Sequence, residues 1–491
     1  MIERVFRAKA DRLQAIYDRV PYPLQNALTS VRGWFLTRNR YNKDMYALLQ
    51  QLRLREGWSA EQITAYQLQS LRTIVDHARS TVPFYARYPR LDWNTPEDIQ
   101  RLPVLSRDAV RENADRMVSS ATPKRQRIQV GTTGTTGASL KVAYSPTVAR
   151  HAWAFRMRQW AWASVTPREP RITFFSSRVI PPQRTRPPYW TYNLLERQVL
   201  MSIFHLSENT APAYIAFLKN KQGQVLEGFP SVLGVMADFI LQYAQPIPMR
   251  VVLTDGEPLY PFLREKIEKA FQSRVFDRYG NTELCGLIDE CGRGQMHLIS
   301  DYAYLEILDG NDRPVPPGQE GFFVWTGFIN DTMPLIRYRI GDRGCWLDSG
   351  PCPCGRAFPL VVPTITRDSD MLRCPSGRIF SPRALNQTLK GASGFRFCQF
   401  VQDQPGRVLV RAVPNNGEGR ALEDLMTICE NLRKVLGKEM DVDATLAESP
   451  IIRAGGKIPL IVRLAPHEGG ICSRIWNGID PDTVLPWHPP L

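Results

Sequence analysis

The stretch Gly131–Val142 reads GTTGTTGASLKV, and its first seven residues are all glycine or threonine. Glycines reach positive φ angles easily, so the backbone N–H groups of such a loop can turn towards a single anion. The threonine hydroxyls add donors of little bulk, and Lys141 follows within reach of the same anion. The stretch is a candidate phosphate-binding loop. A flexible surface turn has the same composition, and no Gly-Lys-Ser/Thr ending marks a Walker A loop, so other segments must decide.

The composition is that of a large globular protein with a basic surface. The chain has 491 residues, of which 43% are hydrophobic and 22% are charged. This balance suits a sizeable core and more than one domain. Lysine and arginine number 62 against 48 acidic residues, which gives a net charge of +14. Such a charge attracts nucleic acid, anionic lipid or phosphorylated ligands without choosing among them.

The sequence also bears on where the protein resides. No window of about 18 consecutive apolar residues predicts a membrane-spanning helix, and the start, MIERVFRAKADRL, lacks the pattern of an export signal. All nine cysteines lie between Cys285 and Cys472. A disulfide scaffold would spread its bridges more widely, so a reducing compartment is predicted. We therefore expect a cytoplasmic protein.

Hydrophobic periodicity divides the chain into four parts. Residues 1–90 have helical spacing and predict a helical region packed on the main domain. Residues 91–366 complete a large α/β domain, because short apolar runs there alternate with helix-like segments. Residues 367–465 predict a small α+β domain, and residues 466–491 form a tail without periodicity.

The individual elements follow from the same patterns. In the large domain the predicted strands are Ile172–Phe175, Gln224–Leu226, Arg250–Leu253, Arg274–Phe276 and Phe322–Trp325, and the predicted helices are Ala211–Lys219, Ser231–Tyr243 and Tyr260–Phe271. In the small domain the predicted strands are Phe395–Val401, Arg407–Ala412 and a run near Ile458–Leu464, with a helix at Ala421–Leu436.

The N-terminal region allows two interpretations. The first forty residues carry eight basic and three acidic residues, with Trp34, Phe35 and Leu36 among them. Such a segment could rest on an anionic membrane surface. The favoured interpretation is a helical cap on the main domain with a solvated basic face. The run Pro21-Tyr22-Pro23 is expected to interrupt any continuous helix.

One further motif carries three side chains that suit nucleotide chemistry. The stretch Val275–Glu283, VFDRYGNTE, is a strand-like run that ends in a ring, a glycine turn, a hydroxyl and a carboxylate. Tyr279 could stack on a base, Thr282 could bond a phosphate oxygen and Glu283 could hold Mg²⁺ there. By itself, the motif is equally compatible with an ordinary turn at a strand end.

Three more motifs are weak singly. In Leu335–Gly344, LIRYRIGDRG, Asp342 follows a glycine at a strand end and could accept both hydroxyls of a ribose. In Leu253–Leu259, LTDGEPL, glycine and proline bare the backbone for contacts with a base. In Ala454–Pro459, AGGKIP, two glycines precede a lysine. A plain surface turn explains each of them alone, but it does not explain their order along the chain.

That order resembles the adenylate-forming superfamily of acyl- and aryl-CoA ligases, and more closely its phenylacetate–CoA ligase and CapK branch. Residues 68–85, LQSLRTIVDHARSTVPFY, and residues 101–113, RLPVLSRDAVREN, are similar to segments of that branch. The resemblance covers about residues 40–465. It implies an α/β fold in which a large N-terminal domain with central β-sheets flanked by helices precedes a small mobile α+β domain.

The resemblance also implies a role for each motif. The β- and γ-phosphates of ATP would be enclosed by Thr132, Thr133, Gly134, Thr135, Thr136, Gly137 and Lys141. The adenine would be lined by Gly256, Glu257 and Pro258, and Tyr279, followed by Gly280 and Asn281, would stack on it. Thr282 would bind the α-phosphate, Glu283 would bind Mg²⁺, and Asp342 would hold the ribose. Arg367 would also contact ATP, Asp370 would be the hinge between domains, and Lys457 would bridge the carboxylate and the α-phosphate. Thr366, Ser139 and Ile340 depart from residues common in the family and affect the expected fine geometry.

A second group of residues suits a metal. Cys291 and His297 lie in CGRGQMH, and Cys352 and Cys354 lie in GPCPCGR. Three cysteines and one histidine suit a tetrahedral structural Zn²⁺, and part of the resembled branch has Cys and His at similar places. Reduced cysteines without a ligand are the alternative, and Cys285 or Cys345 could substitute in the set.

The implied function is Mg²⁺- and ATP-dependent activation of a carboxylic acid as an acyl-adenylate, with transfer to a thiol such as coenzyme A. Transfer to an amine of a sugar or polysaccharide precursor is one alternative. The other is a non-catalytic, basic membrane-surface or nucleic-acid-binding protein on a degenerate ligase fold, although no specific nucleic-acid motif is present. A homodimer is also expected. By their position around the motifs, the candidates for the acyl pocket are Phe204, His205, Gly228, Phe229 and Ser231.

Overall fold

The structure of the chain, a computed structural model, describes most of its residues. The described residues are 16–131, 140–175, 179–181, 183–348, 350–364, 372–375, 379–380, 385, 387–389, 392, 394–415, 418–436, 439–452 and 458–464. Within them, no helix is long and apolar enough to cross a bilayer.

Nine α-helices have defined bounds in the described part of the chain. They are α1 (Tyr22–Arg40), α2 (Lys43–Arg55), α3 (Ala60–Thr81), α4 (Arg107–Glu112), α5 (Pro146–Trp162), α6 (Ala211–Lys219), α7 (Pro230–Tyr243), α8 (Pro261–Phe271) and α9 (Glu418–Leu436). Many begin at a clear sequence signal. Ser59 and Gln62 form a capping box at the start of α3, and α1 and α5 to α8 all have a proline in the first turn, where its missing N–H costs nothing.

Twenty strands have defined bounds in the described residues. They are β1 (Ile128–Gly131), β2 (Lys141–Tyr144), β3 (Arg171–Phe174), β4 (Trp190–Asn193), β5 (Gln198–Met201), β6 (Val225–Gly228), β7 (Val251–Asp255), β8 (Val275–Gly280), β9 (Leu287–Glu290), β10 (Met296–Leu298), β11 (Ala303–Leu308), β12 (Gly321–Gly327), β13 (Tyr338–Trp346), β14 (Val361–Pro363), β15 (Leu372–Arg373), β16 (Ile379–Phe380), β17 (Phe395–Gln402), β18 (Arg407–Pro414), β19 (Asp441–Leu446) and β20 (Ile461–Arg463).

The largest sheet has eight strands in the order β10-β9-β8-β7-β6-β3-β5-β4. Its five central strands, β5, β3, β6, β7 and β8, run parallel. The apolar residues of α6, α7 and α8 form one core with these strands, which explains why β6 and most of β7 are buried along their length. At the far edge, β4 runs antiparallel to β5.

Two four-stranded sheets accompany the large sheet in the described residues, besides the two-stranded pairs β1-β2 and β15-β16. A four-stranded sheet has the order β11-β12-β13-β14, and its core is continuous with that of α2, α3 and α5. Near the C-terminus, a second four-stranded sheet has the order β19-β18-β17-β20 and packs against α9 around a separate core. The predicted α/β fold, with central sheets flanked by helices, is confirmed.

The predicted elements of both parts agree with the observed ones to within a few residues. The helix predicted at Ala211–Lys219 matches α6 at both ends, and a helix break occurs at Val20 and Pro21, immediately before α1. Several elements were not predicted, among them helix α5, strands β4, β5, β9, β10, β11 and β14, and strand β19 near the C-terminus. The favoured picture of the N-terminal region also needs a correction, because α1 is a cap on the large domain but its outward face is largely apolar rather than basic.

Candidate functional site

The carboxyl ends of the parallel strands bring five loops to one edge of the large sheet. Phe174 of β3 lies beside Gly228 of β6, Gly228 lies beside Thr254 of β7, and Asp255 lies beside Arg278 of β8. The edge of a parallel sheet at the carboxyl ends of its strands is the usual ligand-binding place in open α/β folds. Most of the predicted site residues that the structure describes follow these strand ends.

Tyr279 and Asp342 meet although they come from different sheets. The Tyr279 hydroxyl donates a hydrogen bond of 2.7 Å to Asp342 Oδ2, and both side chains are buried. Burial, with the nearby Asp342 charge, raises the pKa of Tyr279 well above its usual value, so the phenol stays a donor. The Tyr279 ring also stacks on Trp325, with 6.0 Å between the ring centroids. Asp342 is thereby held in a defined orientation.

Glu283 lies in the turn after β8. Its carboxylate is only 2% exposed, and its Oε1 lies 3.4 Å from the Tyr338 hydroxyl and 3.8 Å from a guanidinium nitrogen of Arg107. The neighbouring Thr282 is exposed. A buried carboxylate beside an accessible hydroxyl is a donor set that suits Mg²⁺, which prefers oxygen ligands.

The turn that carries these residues is fixed by Asn281. The Asn281 side chain accepts a hydrogen bond from the Cys285 N–H at 3.0 Å and donates one to the Gly286 carbonyl at 3.3 Å. Burial, together with the Glu283 and Asp342 charges, raises the pKa of the Cys285 thiol well above its usual value. Cys285 is therefore a protonated thiol rather than a nucleophile.

The predicted adenine segment follows β7. Gly256 has a φ of +80°, which a glycine adopts without strain, and Glu257 Oε2 accepts a hydrogen bond of 3.1 Å from the Ser231 N–H. Asp255, the last residue of β7, forms a 2.7 Å ion pair with Arg156 of α5. The segment is thus tied to the start of α7 on one side and to α5 on the other.

The predicted acyl-pocket residues lie at the adjacent strand ends. Gly228 leaves no room for a side chain, because a Cβ there would lie 2.8 Å from the Phe174 Cβ. Phe229 contacts Phe175 edge to face, with 5.0 Å between the ring centroids. Beyond the end of β5, His205 Nδ1 lies 2.7 Å from the Ser202 hydroxyl, whereas Phe204 is half exposed. The predicted acyl-pocket set therefore offers two phenylalanine rings and one imidazole, placed after the ends of β5 and β6.

Of the residues predicted to bind the β- and γ-phosphates, Lys141 is the one that the structure describes. It lies on β2, opposite Gly131 of β1, and the hairpin contacts the segment before β13 through a 3.2 Å hydrogen bond from Asn330 to the Ala143 carbonyl. The other predicted phosphate-binding residues, the hinge residue and the C-terminal lysine and arginine lie outside the described residues: Thr132, Thr133, Gly134, Thr135, Thr136, Gly137, Arg367, Asp370 and Lys457.

The four predicted metal ligands come together at the β9–β10 hairpin. Cys291, His297, Cys352 and Cys354 offer ligand atoms that all lie within 4.8 Å of one another. The Cys291 and Cys352 sulfurs are 3.8 Å apart, and Cys354 Sγ is 3.4 Å from His297 Nε2. Sulfurs bound at about 2.3 Å to one tetrahedral ion would be separated by about 3.8 Å, so the spacing fits Zn²⁺.

The histidine of this group is also prepared to bind a metal. His297 Nδ1 lies 2.8 Å from the Phe358 carbonyl, so Nδ1 carries the proton and Nε2 presents its lone pair to the thiols. Burial lowers the pKa of His297, which favours the neutral imidazole. Cys285 and Cys345, the alternatives considered from the sequence, are not part of the group.

Three residues at the site were missed from the sequence. Arg107 and Tyr338 contact Glu283, and Trp325 stacks on Tyr279. Leu105 holds the segment that carries Arg107 beside Tyr338. The Leu105 N–H donates to the Arg337 carbonyl, and the Leu105 carbonyl accepts from the Arg339 N–H. The segment 101–113 could have suggested Arg107, since it already resembles a family segment and contains a cation.

The fold and the motifs at this edge define a class of protein. A crystal structure of 2-hydroxyisobutyryl-CoA ligase in the postadenylation state, in complex with R3-HIB-AMP, superposes with a TM-score of 0.68 over 86% of this chain and 93% of that one, at 19% identity. The chain therefore has the fold of the CoA ligases of the adenylate-forming superfamily.

Sequence comparison identifies the relatives within this class. Protein CapK of Staphylococcus aureus is 23% identical over 425 residues, which cover 82% of this chain and 89% of CapK. The phenylacetate–coenzyme A ligase of Thermus thermophilus is 23% identical over 336 residues, which cover 64% of this chain and 72% of that enzyme. No family model matches the chain. The chain is thus a homologue of CapK and of phenylacetate–CoA ligases, as its motifs predicted.

Proposed function

We propose that this protein is a ligase that uses Mg²⁺ and ATP to activate a carboxylic acid as an acyl-adenylate and then passes the acyl group to a thiol such as coenzyme A. One observation carries the proposal: of the three residues that the motifs assign to one nucleotide, Tyr279 bonds Asp342, and Glu283 lies against Tyr338 on the same strand as Asp342. Homology to phenylacetate–CoA ligases supports the same reaction class.

The described residues divide the work of binding the nucleotide. Gly256, Glu257 and Pro258 line the adenine next to Tyr279, and Asp342, oriented by the Tyr279 hydroxyl, accepts the ribose hydroxyls. Thr282 donates its hydroxyl to the α-phosphate. Glu283 would hold Mg²⁺, which when bound offsets the negative charge that develops as pyrophosphate leaves. In this proposal the acid lies against Phe229 and Phe175, and its carboxylate attacks the α-phosphorus as pyrophosphate leaves.

The small C-terminal part supplies the remaining groups in this proposal. It contacts the large domain near the acyl pocket, because Arg396 of β17 pairs with Glu208 at 3.3 Å and lies over the Phe239 ring of α7. Lys457, Arg367 and the hinge residue Asp370 belong to this region by sequence. A lysine bridging the carboxylate and the α-phosphate would stabilise the transition state, and rotation about Asp370 would then admit the thiol.

The Cys291, His297, Cys352 and Cys354 group is proposed to hold a structural Zn²⁺. All four positions of a tetrahedral site are filled by protein ligands, which leaves no position for a substrate. Its role is to join the β9–β10 hairpin, which belongs to the sheet of Tyr279, to the segment before β14, the strand that pairs with β13 and so with the strand of Asp342. A homodimer and a cytoplasmic location stay predictions.

Pyrophosphate release with a panel of aromatic and short aliphatic acids tests the proposal. We expect release that depends on both ATP and one acid, that yields an acyl-AMP detectable by mass spectrometry, and that disappears in Lys457→Ala. Addition of coenzyme A should convert the acyl-AMP to a thioester, whereas an amine product with sugar acceptors would favour the alternative acceptor. Absence of turnover with every acid, in unaltered protein that is shown to be folded, would overturn the ligase assignment. Glu265→Gln, at an exposed position on α8, is the control variant and should retain the activity of the unaltered protein.

A further inference from the structure

Helix α1 packs on the large domain through its polar side. The Asn26 side chain accepts a 2.9 Å hydrogen bond from the Tyr192 N–H, and the Ser30 hydroxyl donates one of 3.2 Å to the Tyr192 carbonyl. The Tyr22 hydroxyl bonds the Trp190 carbonyl at 2.9 Å. These bonds satisfy backbone groups of β4, the edge strand of the large sheet, and an uncovered edge strand would invite pairing with other chains.

Because the polar residues face inward, the apolar residues of α1 face solvent. Leu24, Leu28, Val31 and Phe35 recur at intervals of four, three and four residues, which places them on one face of the helix. Their exposed fractions are 53%, 47%, 54% and 63%. This outer stripe is the reverse of the usual arrangement, in which the apolar face of a surface helix packs against the core.

The charged residues of α1 that border the outer stripe (Leu24, Leu28, Val31 and Phe35) are all positive. No acidic residue occurs in Tyr22–Arg40, whereas Arg32 and Arg38 are exposed beside the stripe. Trp34, which is also exposed, lies under the Arg38 guanidinium at 5.6 Å from its ring centroid. Aromatic and aliphatic side chains flanked by arginine are typical of helices that lie in a membrane interface.

A neighbouring turn extends the same surface. Leu194 and Leu195 follow β4 and are exposed, and the Leu194 N–H donates to the Ser30 hydroxyl of α1 at 3.2 Å. Arg197 is exposed two residues later, and Arg168 bonds the Leu195 carbonyl at 3.2 Å. Apolar side chains again lie next to cations.

A basic groove lies at the C-terminal end of α1. It has a volume of about 710 Å³, opens to solvent, and is lined by Arg38, Tyr41, Lys43 and Tyr46 among others. Two cations and two phenols at the end of an apolar stripe suit a phosphate-bearing headgroup whose acyl chains lie beneath the stripe.

We infer that the outer face of α1, with the Leu194–Leu195 turn, docks this protein on an anionic lipid bilayer. Charge complementarity favours that partner, since the stripe is bordered by arginines and the whole chain carries +14. A second copy of the chain fits less well, because α1 has no acidic residue with which the Arg32 and Arg38 of a partner helix could pair across an isologous contact. The helix lies in the interface, with its axis parallel to the surface, and the catalytic edge stays in water.

Sedimentation of the full-length protein with vesicles tests the inference. We expect binding to vesicles of phosphatidylcholine with about a third phosphatidylglycerol, weak binding to phosphatidylcholine alone, and a decline with added salt. The double variant Leu28→Glu/Phe35→Glu should lower the partition coefficient by roughly tenfold or more, and so should Arg32→Glu/Arg38→Glu. Met426→Glu, an exposed apolar position on α9, and Lys269→Glu, an exposed cation on α8, are the matched controls and should bind as the unaltered protein does.

Three results would overturn the inference. The first is absence of binding to anionic vesicles, or binding that Leu28→Glu/Phe35→Glu leaves intact. The second is a dimer in analytical ultracentrifugation that the same variant converts to a monomer, which would make the face a self-association surface. The third is vesicle binding that appears only after deletion of residues 1–15, which would mean that this segment covers the stripe. Acid-dependent pyrophosphate release should be equal in all these variants, so membrane docking and ligase activity are judged separately.

Discussion

Two surfaces invert the usual distribution of side chains in opposite directions. One is the edge of the large sheet at the carboxyl ends of its parallel strands, the proposed nucleotide site, which we call the nucleotide edge, and the other is the outer face of α1. At the first, Tyr279, Glu283 and Asp342 are polar or charged yet almost fully buried. At the second, Leu24 and Phe35 are apolar yet more than half exposed. Burying ionisable groups and exposing apolar ones are both unusual in a folded protein, and we propose that a ligand completes each of these two surfaces. Substitutions at the two surfaces should therefore have different effects, because the buried polar groups form hydrogen bonds with one another whereas the exposed apolar side chains make few contacts.

The largest expected effect is on catalysis at the nucleotide edge. Glu283→Gln keeps the shape of the side chain but removes the charge that would bind Mg²⁺, so we expect kcat/KM for pyrophosphate release to fall by about two to three orders of magnitude. Glu265→Gln serves as control for the loss of one carboxylate elsewhere. A fall of less than about threefold would mean that Glu283 does not face the metal and that the first inversion is structural only.

The metal group is expected to have the next largest effect, on stability. Cys352→Ser removes one thiolate from the set, so bound zinc measured by atomic emission should fall from about one ion per chain towards zero. The free energy of unfolding should decrease by roughly 2–4 kcal/mol, seen as a lower Tm. Cys429→Ser, in the separate C-terminal core, should retain the ion. Equal zinc content in both variants would exclude these ligands.

A buried carboxyl beneath the nucleotide edge gives a pH-dependent effect. Burial raises the pKa of Asp277 to about 7, and the Thr254 hydroxyl donates to it at 2.6 Å. The folded-state pKa lies above the unfolded value, so between about pH 4 and pH 7 unfolding releases a proton and stability declines as pH rises. Asp277→Asn removes this penalty. The variant should therefore gain stability relative to the unaltered protein across that window, by a few kcal/mol at most.

That gain is measured by urea unfolding at pH 4.5 and at pH 8. Asp441→Asn, an exposed carboxylate at the start of β19, should show the same difference from the unaltered protein at both pH values. A gain for Asp277→Asn that is equal at pH 4.5 and at pH 8 would show that the carboxyl is ionised in the folded protein throughout.

A smaller effect is expected from the contact between Tyr279 and Asp342. Tyr279→Phe keeps the ring but deletes the donor to Asp342, which costs about 1 kcal/mol and lets the carboxylate rotate. We expect KM for ATP to rise severalfold, with kcat less affected, because Asp342 is proposed to bind the ribose rather than the reacting atoms. Tyr304→Phe on β11 is the control. A change confined to kcat would assign Tyr279 a different role.

The smallest expected effect is at the outer stripe. Phe35→Ser should change the free energy of unfolding by less than about 0.5 kcal/mol, because the side chain is 63% exposed. Gly33→Val, on the inner side of the same helix, should destabilise strongly, since a Cβ there would overlap the Asn193 side chain. Thermal unfolding of the two variants measures this contrast directly. Equal Tm values for the two variants would mean that α1 is not packed as described.

The sequence predicted the parallel core well because local signals there agree with the fold. Runs such as VVLTD at Val251–Asp255 are apolar on both faces, and the helices between them have proline in the first turn. Such signals lie within a few residues of one another. The motif order predicted that Tyr279, Glu283 and Asp342 share one site. The structure joins Tyr279 to Asp342 directly and brings Tyr338, on the strand of Asp342, against Glu283, while their roles towards a nucleotide stay a prediction.

Contacts between distant segments could not be read from the chain. The spacing of Leu24, Leu28, Val31 and Phe35 normally predicts a face that packs inward. It faces outward because Asn26 bonds Tyr192, 166 residues away, on an edge strand that no local pattern reveals. Arg107 and Tyr338 were missed for the same reason, since their contacts with Glu283 depend on the pairing of Leu105 with β13.

Because α1 covers the edge strand β4, it limits which truncated forms of the protein are suitable for experiments. A shortened form beginning after Arg40 would bare the main-chain groups of Trp190 and Tyr192, and a bare strand margin recruits strands from other molecules. Such a form would aggregate, and the resulting loss of soluble, active protein would be mistaken for evidence that the helix takes part in catalysis. Changing the outward side chains one at a time, with the inward ones kept, is the way to separate the two roles of this helix.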